Sequence, residues 1–354
     1  MRAWRERDPK EERDAEKLAA LQEAGITLDP ARPGSPDHGD AETHAREHAD
    51  GTAHDHAHPH RHSAPGEPPI IGIVGAGAVG SGLGLALTRA GWPISAVASR
   101  DPVRRERFRE LVGGTRAFEE VTPMLDEVEL LILAVPDDAV EPLARSIRLY
   151  SGQALVHTSG ALGAEVLLPA MAAGTQVGSF HPLVAFADTD RAVEALHGAT
   201  IAVEGDDQLV VLLAEMATAI GAHAVRLAPG TKAAYHAAAV LAAGGFVALL
   251  DAIAELGRVA GLDEAGSLAI YGPLIEQTLG NARALGIRAA LTGPITRGDV
   301  GTLAAHLAAL RAHAPGVLPL YLAAAEREIV LAEDRGALSP DVSKHLRTAL
   351  ANTQ

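Results

Sequence analysis

Ile70-Ile71-Gly72-Ile73-Val74-Gly75-Ala76-Gly77-Ala78-Val79-Gly80 sets a short, β-branched apolar run directly against three spaced glycines. The run is too short for a helix and apolar at every position, which predicts a strand buried on both faces. Ala78 to Ala90 follows as a helix, and this strand–glycine–helix order makes the pattern specific for a dinucleotide. Gly75 permits the tight turn, Gly77 lets backbone approach a pyrophosphate, and Gly80 allows the helix to pack on the strand. The first helical amides, from Ala76, Ala78 and Val79, then face the phosphates.

Further apolar runs at Ile94–Ala98, Leu130–Val135, Ala154–His157, Val177–Phe180, Thr200–Val203 and Ala222–Leu227 alternate with helical stretches. That alternation implies an α/β, doubly wound and mostly parallel sheet of the Rossmann type, with helices on both faces. After Pro229 the strands stop. Thr231 to Ala260 carries no proline and is dense in Ala and Leu, predicting one long helix, followed by helices over 263–284, 300–312 and 319–334. Gly244 and Gly245 within the long helix predict a neighbouring helix packed close, or local tolerance of the glycines. The expected organisation is a disordered charged and His-rich tail over 1–66, a dinucleotide-binding domain over 67–228, an all-helical domain over 229–340 and a C-terminal extension over 341–354.

The 354 residues carry 45 Asp and Glu against 30 Lys and Arg, a formal charge of −15. So acidic a chain is a poor partner for a phosphate backbone, which excludes nucleic acid as a main ligand. With no cysteine, thiolate nucleophiles, disulfides and Cys-based metal sites are excluded. The N-terminus lacks an apolar run. The longest apolar stretch, 237–250, is shorter than the roughly 18 to 20 residues that span a bilayer. A soluble, cytoplasmic protein with no membrane partner is therefore expected. Eight of the 16 histidines fall between His38 and His62. Such a tract can hold divalent metal incidentally, and no structural metal is expected.

The end of the second strand usually carries an acid on the ribose hydroxyls of NAD. Here it reads Ala98-Ser99-Arg100-Asp101. Ser99 and Arg100 offer a hydroxyl and a guanidinium to a 2′-phosphate, favouring NADP(H). NAD(H) stays open, because Asp101 reaches the ribose if the strand ends one residue later. Ala134, Val135 and Pro136, at the end of the fourth strand, are expected to line the cofactor.

The folded region from Pro69 to Val342 holds a single lysine, Lys232. Guanidinium cannot replace an ammonium that donates a proton or changes its pKa on burial. Lys232 and His236 are four apart and share a helical face. His157 and Ser159 follow the fifth strand, and His181 follows the sixth, so each is a candidate to bind or protonate a substrate. Alternatively, His157 and Ser159 bond loop backbone and His181 caps a turn before Pro182. Arg297 could clamp a carboxylate, and Asp299 is either a ligand or the N-cap of the next helix.

The glycine turn, Ala134-Val135-Pro136-Asp137, His157-Thr158-Ser159-Gly160, Gly178-Ser179-Phe180-His181-Pro182-Leu183 and Thr292-Gly293-Pro294 together resemble bacterial Rossmann-like proteins with a C-terminal helical domain of unknown function. The resemblance covers Pro69 to Ala337. It extends in architecture to the 6-phosphogluconate dehydrogenase-like group, including ketopantoate reductase, pyrroline-carboxylate reductase and prephenate dehydrogenase. In hydroxyacid dehydrogenases of that group a catalytic lysine precedes an asparagine by four positions. Lys232 matches the lysine and His236 replaces the asparagine. His181-Pro182 is similar to a prephenate dehydrogenase segment whose histidine contacts the substrate hydroxyl.

Together these readings predict an NADP(H)-dependent oxidoreductase acting on a small oxo or hydroxy acid, with ketopantoate suggested by the resemblance alone. Catalytic roles are expected for Lys232, His181, His236 and Ser159, and substrate binding for His157, Arg297 and Asp299. A homodimer through apolar helices is expected. The rival classes are a nonenzymatic dinucleotide-binding sensor or metal-handling protein, and dehydratase or decarboxylating chemistry on the same fold.

Overall fold

Ile71, Ile73, Leu130 and Ile132 lie in one apolar core, while Val74, Leu131, Leu133 and Leu155 lie in a second. Alternate residues of these strands thus enter opposite cores, as a sheet covered on both faces requires. The computed structural model describes residues 46–47, 53–54, 63–64, 67–186 and 189–352. These form two compact units, divided between Ala239 and Val240. Most of the tail, including its histidine tract except His54, lies outside the described residues. Within the tail, Arg46–Glu47 and Ala53–His54 pair antiparallel.

The first unit runs β1 (Ile71–Val74), α1 (Ala78–Arg89), β2 (Ile94–Ala98), α2 (Pro102–Leu111), β3 (Arg116–Phe118), β4 (Leu130–Leu133), α3 (Asp137–Ser146) and β5 (Ala154–His157). It continues through β6 (Gln176–Pro182), α4 (Thr189–Leu196), β7 (Thr200–Glu204), α5 (Asp207–Ala219), β8 (His223–Arg226) and the start of α6 (Lys232–Val240). The sheet order is β3-β2-β1-β4-β5-β6-β7-β8. The first six strands are parallel, and their order reverses at β1 and β4, where ligands of such sheets bind beyond the carboxyl ends.

Sequence reading missed α2 and β3. Among the buried residues of α2 only Phe108 appears, so its strongly charged sequence carries no broad apolar stripe. Phe108 is fully buried, and an added Cβ at Gly84 of α1 would come within 2.6 Å of its ring. The outer strands also differ from a uniformly parallel continuation. β7 pairs antiparallel with β6, and β8 runs parallel to β7.

β5 pairs with Gln176–Ser179 of β6, whereas β7 pairs with Ser179–Pro182. Ser179 is therefore the one residue of β6 paired on both sides. β7 overhangs the carboxyl edge of β5, with Glu204 level with Ser179 and His157.

The long helix Lys232–Val259 forms as expected but with a π-helical turn, Leu241–Gly245, joining α6 to α7 (Phe246–Val259). A Cβ on Gly244 would meet nothing within 4 Å, and the nearest atoms to one on Gly245 belong to Val240 and Leu241. Both glycines lie within the π turn, and among the described residues no other helix packs against them. The 28-residue helix, at mean hydropathy 2.1 with 11% of its apolar window buried, has the length and composition to cross a membrane. The sequence expectation counted only the uninterrupted apolar run and so underestimated the helix.

The second unit continues with α8 (Glu264–Leu285), α9 (Ile287–Ala290), α10 (Val300–His313), α11 (Leu318–Asp334) and α12 (Pro340–Ala351). Its main core contains Leu303, Leu307, Ile329, Leu346 and Leu350. α12 occupies the stretch expected only as an extension. Ser339 caps it, Pro340 opens it, and Arg347 pairs with both Glu326 and Glu333.

Candidate functional site

Gly75 adopts φ 105° where β1 turns into α1, and its N–H donates to the Ala98 carbonyl at 2.8 Å, tying the turn to the end of β2. A side chain there would run into the Ala134 carbonyl, and one on Gly80 into the Gly75 carbonyl. Gly77 differs, since an added Cβ would find nothing within 4 Å. The structure therefore uses Gly75 and Gly80 for packing, while Gly77 leaves clear space beside the first amides of α1. That division is what a pyrophosphate cradle needs. The Ala134 N–H donates to Val74, and Val135 and Pro136 follow at the start of α3, beside the same turn.

β2 ends at Ala98, so Ser99 leaves the strand first. Asp101 accepts from the amides of Val103 and Arg104 and forms the N-cap of α2. Arg104 adds an ion pair to the same carboxylate at 3.3 Å. Arg105 donates to the Ser99 carbonyl and fixes the loop. Arg100 is exposed.

At the carboxyl edge of β5 and β6 a second set of groups gathers. Lys232, 4% exposed, donates from Nζ to Ser179 Oγ at 2.7 Å and to Glu204 Oε2 at 3.0 Å. Ser179 Oγ donates in turn to Glu204 Oε2 at 2.7 Å. Burial lowers the Lys232 pKa, opposed by the hydrogen bond and charge of Glu204. A buried charge with no partner is prohibitively costly, so Glu204 is what permits an ammonium here. Two of its three donors are committed and one is left over. Glu204 and Ser179 were not among the residues expected from sequence.

His157 is fully buried, and both ring nitrogens are used. Nδ1 accepts from the Ser159 N–H at 3.1 Å, which leaves Nε2 to donate to the Gly163 carbonyl at 3.1 Å. Burial holds its pKa down to about 4. Ser159 Oγ accepts from the amides of Ala161 and Leu162. Of the alternatives raised by the sequence, the geometry corresponds to bonding of loop backbone, with His157 and Ser159 shaping the loop after β5.

His181 lies one residue from the end of β6. Its ring lies edge-on to Tyr235 and to His236, each with centroids 5.8 Å away. His181 Nδ1, Tyr235 Oη and His236 Nδ1 are all buried without a hydrogen-bond partner. Burial first, and the Lys232 charge second, lower the His181 pKa to about 4. Burial raises that of Tyr235, keeping its hydroxyl protonated. Gly160 is required where these rings meet, since an added Cβ would strike His236 Nδ1 and come within 2.6 Å of His181 Nε2.

Arg297 and Asp299 belong to the second unit. Asp299 accepts from the Thr302 hydroxyl and N–H, which lower its pKa, so it takes the N-cap role that the sequence left open beside a ligand role. Arg297 is exposed. Among the described residues no group of three or more His, Asp or Glu could hold a metal ion.

A profile described as a Rossmann-like domain matches residues 63–182, and that of a domain of unknown function (DUF2520) matches 199–328. The two matches follow one another along the chain, the first in the sheet-bearing part and the second beginning just before β7. No curated protein matches this chain. Among solved structures, this chain is similar to a Bacteroides fragilis protein provisionally assigned as an NADP oxidoreductase (24% identity, TM-score 0.61, covering 74% of this chain and 98% of that one). A Thermotoga maritima protein is 25% identical, with a TM-score of 0.53 and coverage of 80% and 99%. An Aspergillus terreus reductive aminase in complex with NADPH shares 18% identity at a TM-score of 0.55, with coverage of 79% and 99%.

Proposed function

We propose that this protein is an NADP(H)-dependent oxidoreductase acting on a small oxo or hydroxy acid, with ketopantoate the first substrate to try. The observation that carries the reading is Lys232, a buried ammonium with one uncommitted donor at the carboxyl edge of the sheet. A cradle for phosphate alone has no use for it. The glycine turn fits a dinucleotide through the clear space at Gly77, and the diversion of Asp101 into a helix cap leaves Ser99 and Arg100 for a 2′-phosphate. The structural relatives named for NADP or NADPH support the same cofactor.

When bound, the cofactor supplies or accepts the hydride at its nicotinamide ring. In the reducing direction the substrate carbon gains that hydride and its oxygen gains a proton. Lys232 polarises the oxygen with its free donor and delivers the proton, while His181 and His236 assist. Glu204 and Ser179 hold the amine in place.

NADPH is expected to bind at least about tenfold more tightly than NADH, and Arg100→Ala to remove most of that preference. Fluorescence titration of both dinucleotides checks this, and a preference for NADH overturns the cofactor assignment. A panel of oxo and hydroxy acids followed by NADPH absorbance tests the reaction class.

We further infer a soluble, cytoplasmic homodimer. The second unit leaves Leu241 72% exposed and Ile270 56% exposed, with Val247, Leu274 and Leu279 also uncovered. A surface this apolar marks an interaction site. A second copy is favoured over lipid because Asp251 and Glu255 interrupt α7, and Glu276, Asn281 and Arg283 interrupt α8. Sedimentation equilibrium should give twice the 36.6 kDa chain mass, and Leu241→Glu with Ile270→Glu should return a monomer. A wild-type monomer at micromolar concentration sinks the assignment.

A further inference from the structure

The three partnerless atoms at the end of β6 and the first turn of α6 are the least explained feature of the first unit. Buried polar atoms are paired in the great majority of cases, and each one left alone destabilises the fold. His181 Nδ1, Tyr235 Oη and His236 Nδ1 are all buried and alone, on rings that touch edge to face. Gly160 faces His181 and His236 with no side chain of its own.

We propose that Tyr235, with His181 and His236, forms a subsite for an uncharged oxygen of the substrate, a keto or hydroxyl group, and that it rejects a carboxylate. This rests on the oxidoreductase reading and assigns the group that sits beside Lys232. The hydroxyl of Tyr235 donates to the oxygen. A ring nitrogen of His181 accepts the hydrogen when that oxygen is an alcohol. Both contacts suit a neutral group that donates and accepts at once.

The charges nearby support the same class. The Lys232 ammonium is already offset by the Glu204 carboxylate at 3.0 Å, and burial keeps the His181 ring unprotonated at neutral pH. A carboxylate placed there would be desolvated against the uncharged His181 ring and Tyr235 hydroxyl and against Glu204, which is unfavourable. Tyr235 is a binding residue in this account, distinct from the proton source.

The test uses the full chain and two probes of nearly equal shape, 3-methylbutan-2-one and isobutyrate. Nitrogen-15 spectra of the histidine rings are recorded during titration, with and without NADP+, and assigned through His181→Asn and His236→Asn. The ketone should shift the His181 and His236 resonances, and isobutyrate should bind at least about tenfold more weakly. Tyr235→Phe should weaken the ketone by a similar factor without lowering the melting temperature, because its hydroxyl bonds nothing in the protein.

Equal binding of the two probes, unmoved histidine resonances, or full ketone affinity in Tyr235→Phe overturns the subsite. The two-probe comparison on the unaltered protein decides even if the variant does not fold. NADPH titration on the same samples separates the cases. Lost dinucleotide binding counts against the oxidoreductase reading, whereas intact dinucleotide binding without the ketone response counts against the subsite alone.

Discussion

Lys232→Met is expected to lower kcat by about 10²–10⁴-fold, the contribution of a positioned proton donor, while NADPH binding at the glycine turn persists. The substitution also strips Glu204 of its counter-charge, and breaking a buried pair by removing one partner costs about 3–5 kcal/mol. Lower activity and lower stability therefore arrive together, and a second change must separate them. Adding Glu204→Gln replaces the stranded carboxylate by a neutral amide that can still accept from Ser179. The double variant should regain most of the melting temperature and none of the turnover. Stopped-flow hydride transfer and thermal melting on both variants check this, and near-normal turnover in Lys232→Met removes the lysine from the mechanism.

The second large effect contrasts two glycines three residues apart. Gly80→Val drives its Cβ into the Gly75 carbonyl, in a turn already tied to Ala98. Overpacking of this kind costs about 1–3 kcal/mol even where the surroundings can yield, so little folded protein should be recovered. Gly77→Val places its side chain in open space at φ −81°, which any residue adopts. Its melting temperature should match the parent, yet its NADPH affinity should fall by about a hundredfold or more, because the branched side chain occupies the approach to the phosphates. Retained affinity in a folded Gly77→Val protein would place the pyrophosphate elsewhere.

The parts of the fold legible in the sequence were those written in local pattern. β1, the glycine turn and α1 follow from one contiguous stretch, and the apolar runs mark the remaining long strands. α2 and β3 were hidden because a charged segment with Phe108 as its buried anchor leaves almost no periodicity to read. The candidate site divides the same way. Lys232 stood out as the one lysine between Pro69 and Val342, but its partner did not. Glu204 closes a strand like many acidic residues, and only the antiparallel return of β7 sets it opposite Ser179. Tyr235 lies between Lys232 and His236 and carries no sequence signal, since an unpaired hydroxyl is a property of packing. Asp299, by contrast, kept the spacing of a helix cap, and the structure uses it as one.

The double pairing of Ser179 makes the polar cluster a lock on strand alignment. If β7 slid by a single residue along β6, every side chain of β7 would swap sides of the sheet. Glu204 would then point away from Lys232, and Val203 would stand in its place. The misaligned chain would enclose a solitary cation among apolar groups, a state several kcal/mol uphill. The ion pair thus proofreads assembly: a single-residue slip of these strands would leave the enclosed Lys232 charge uncompensated.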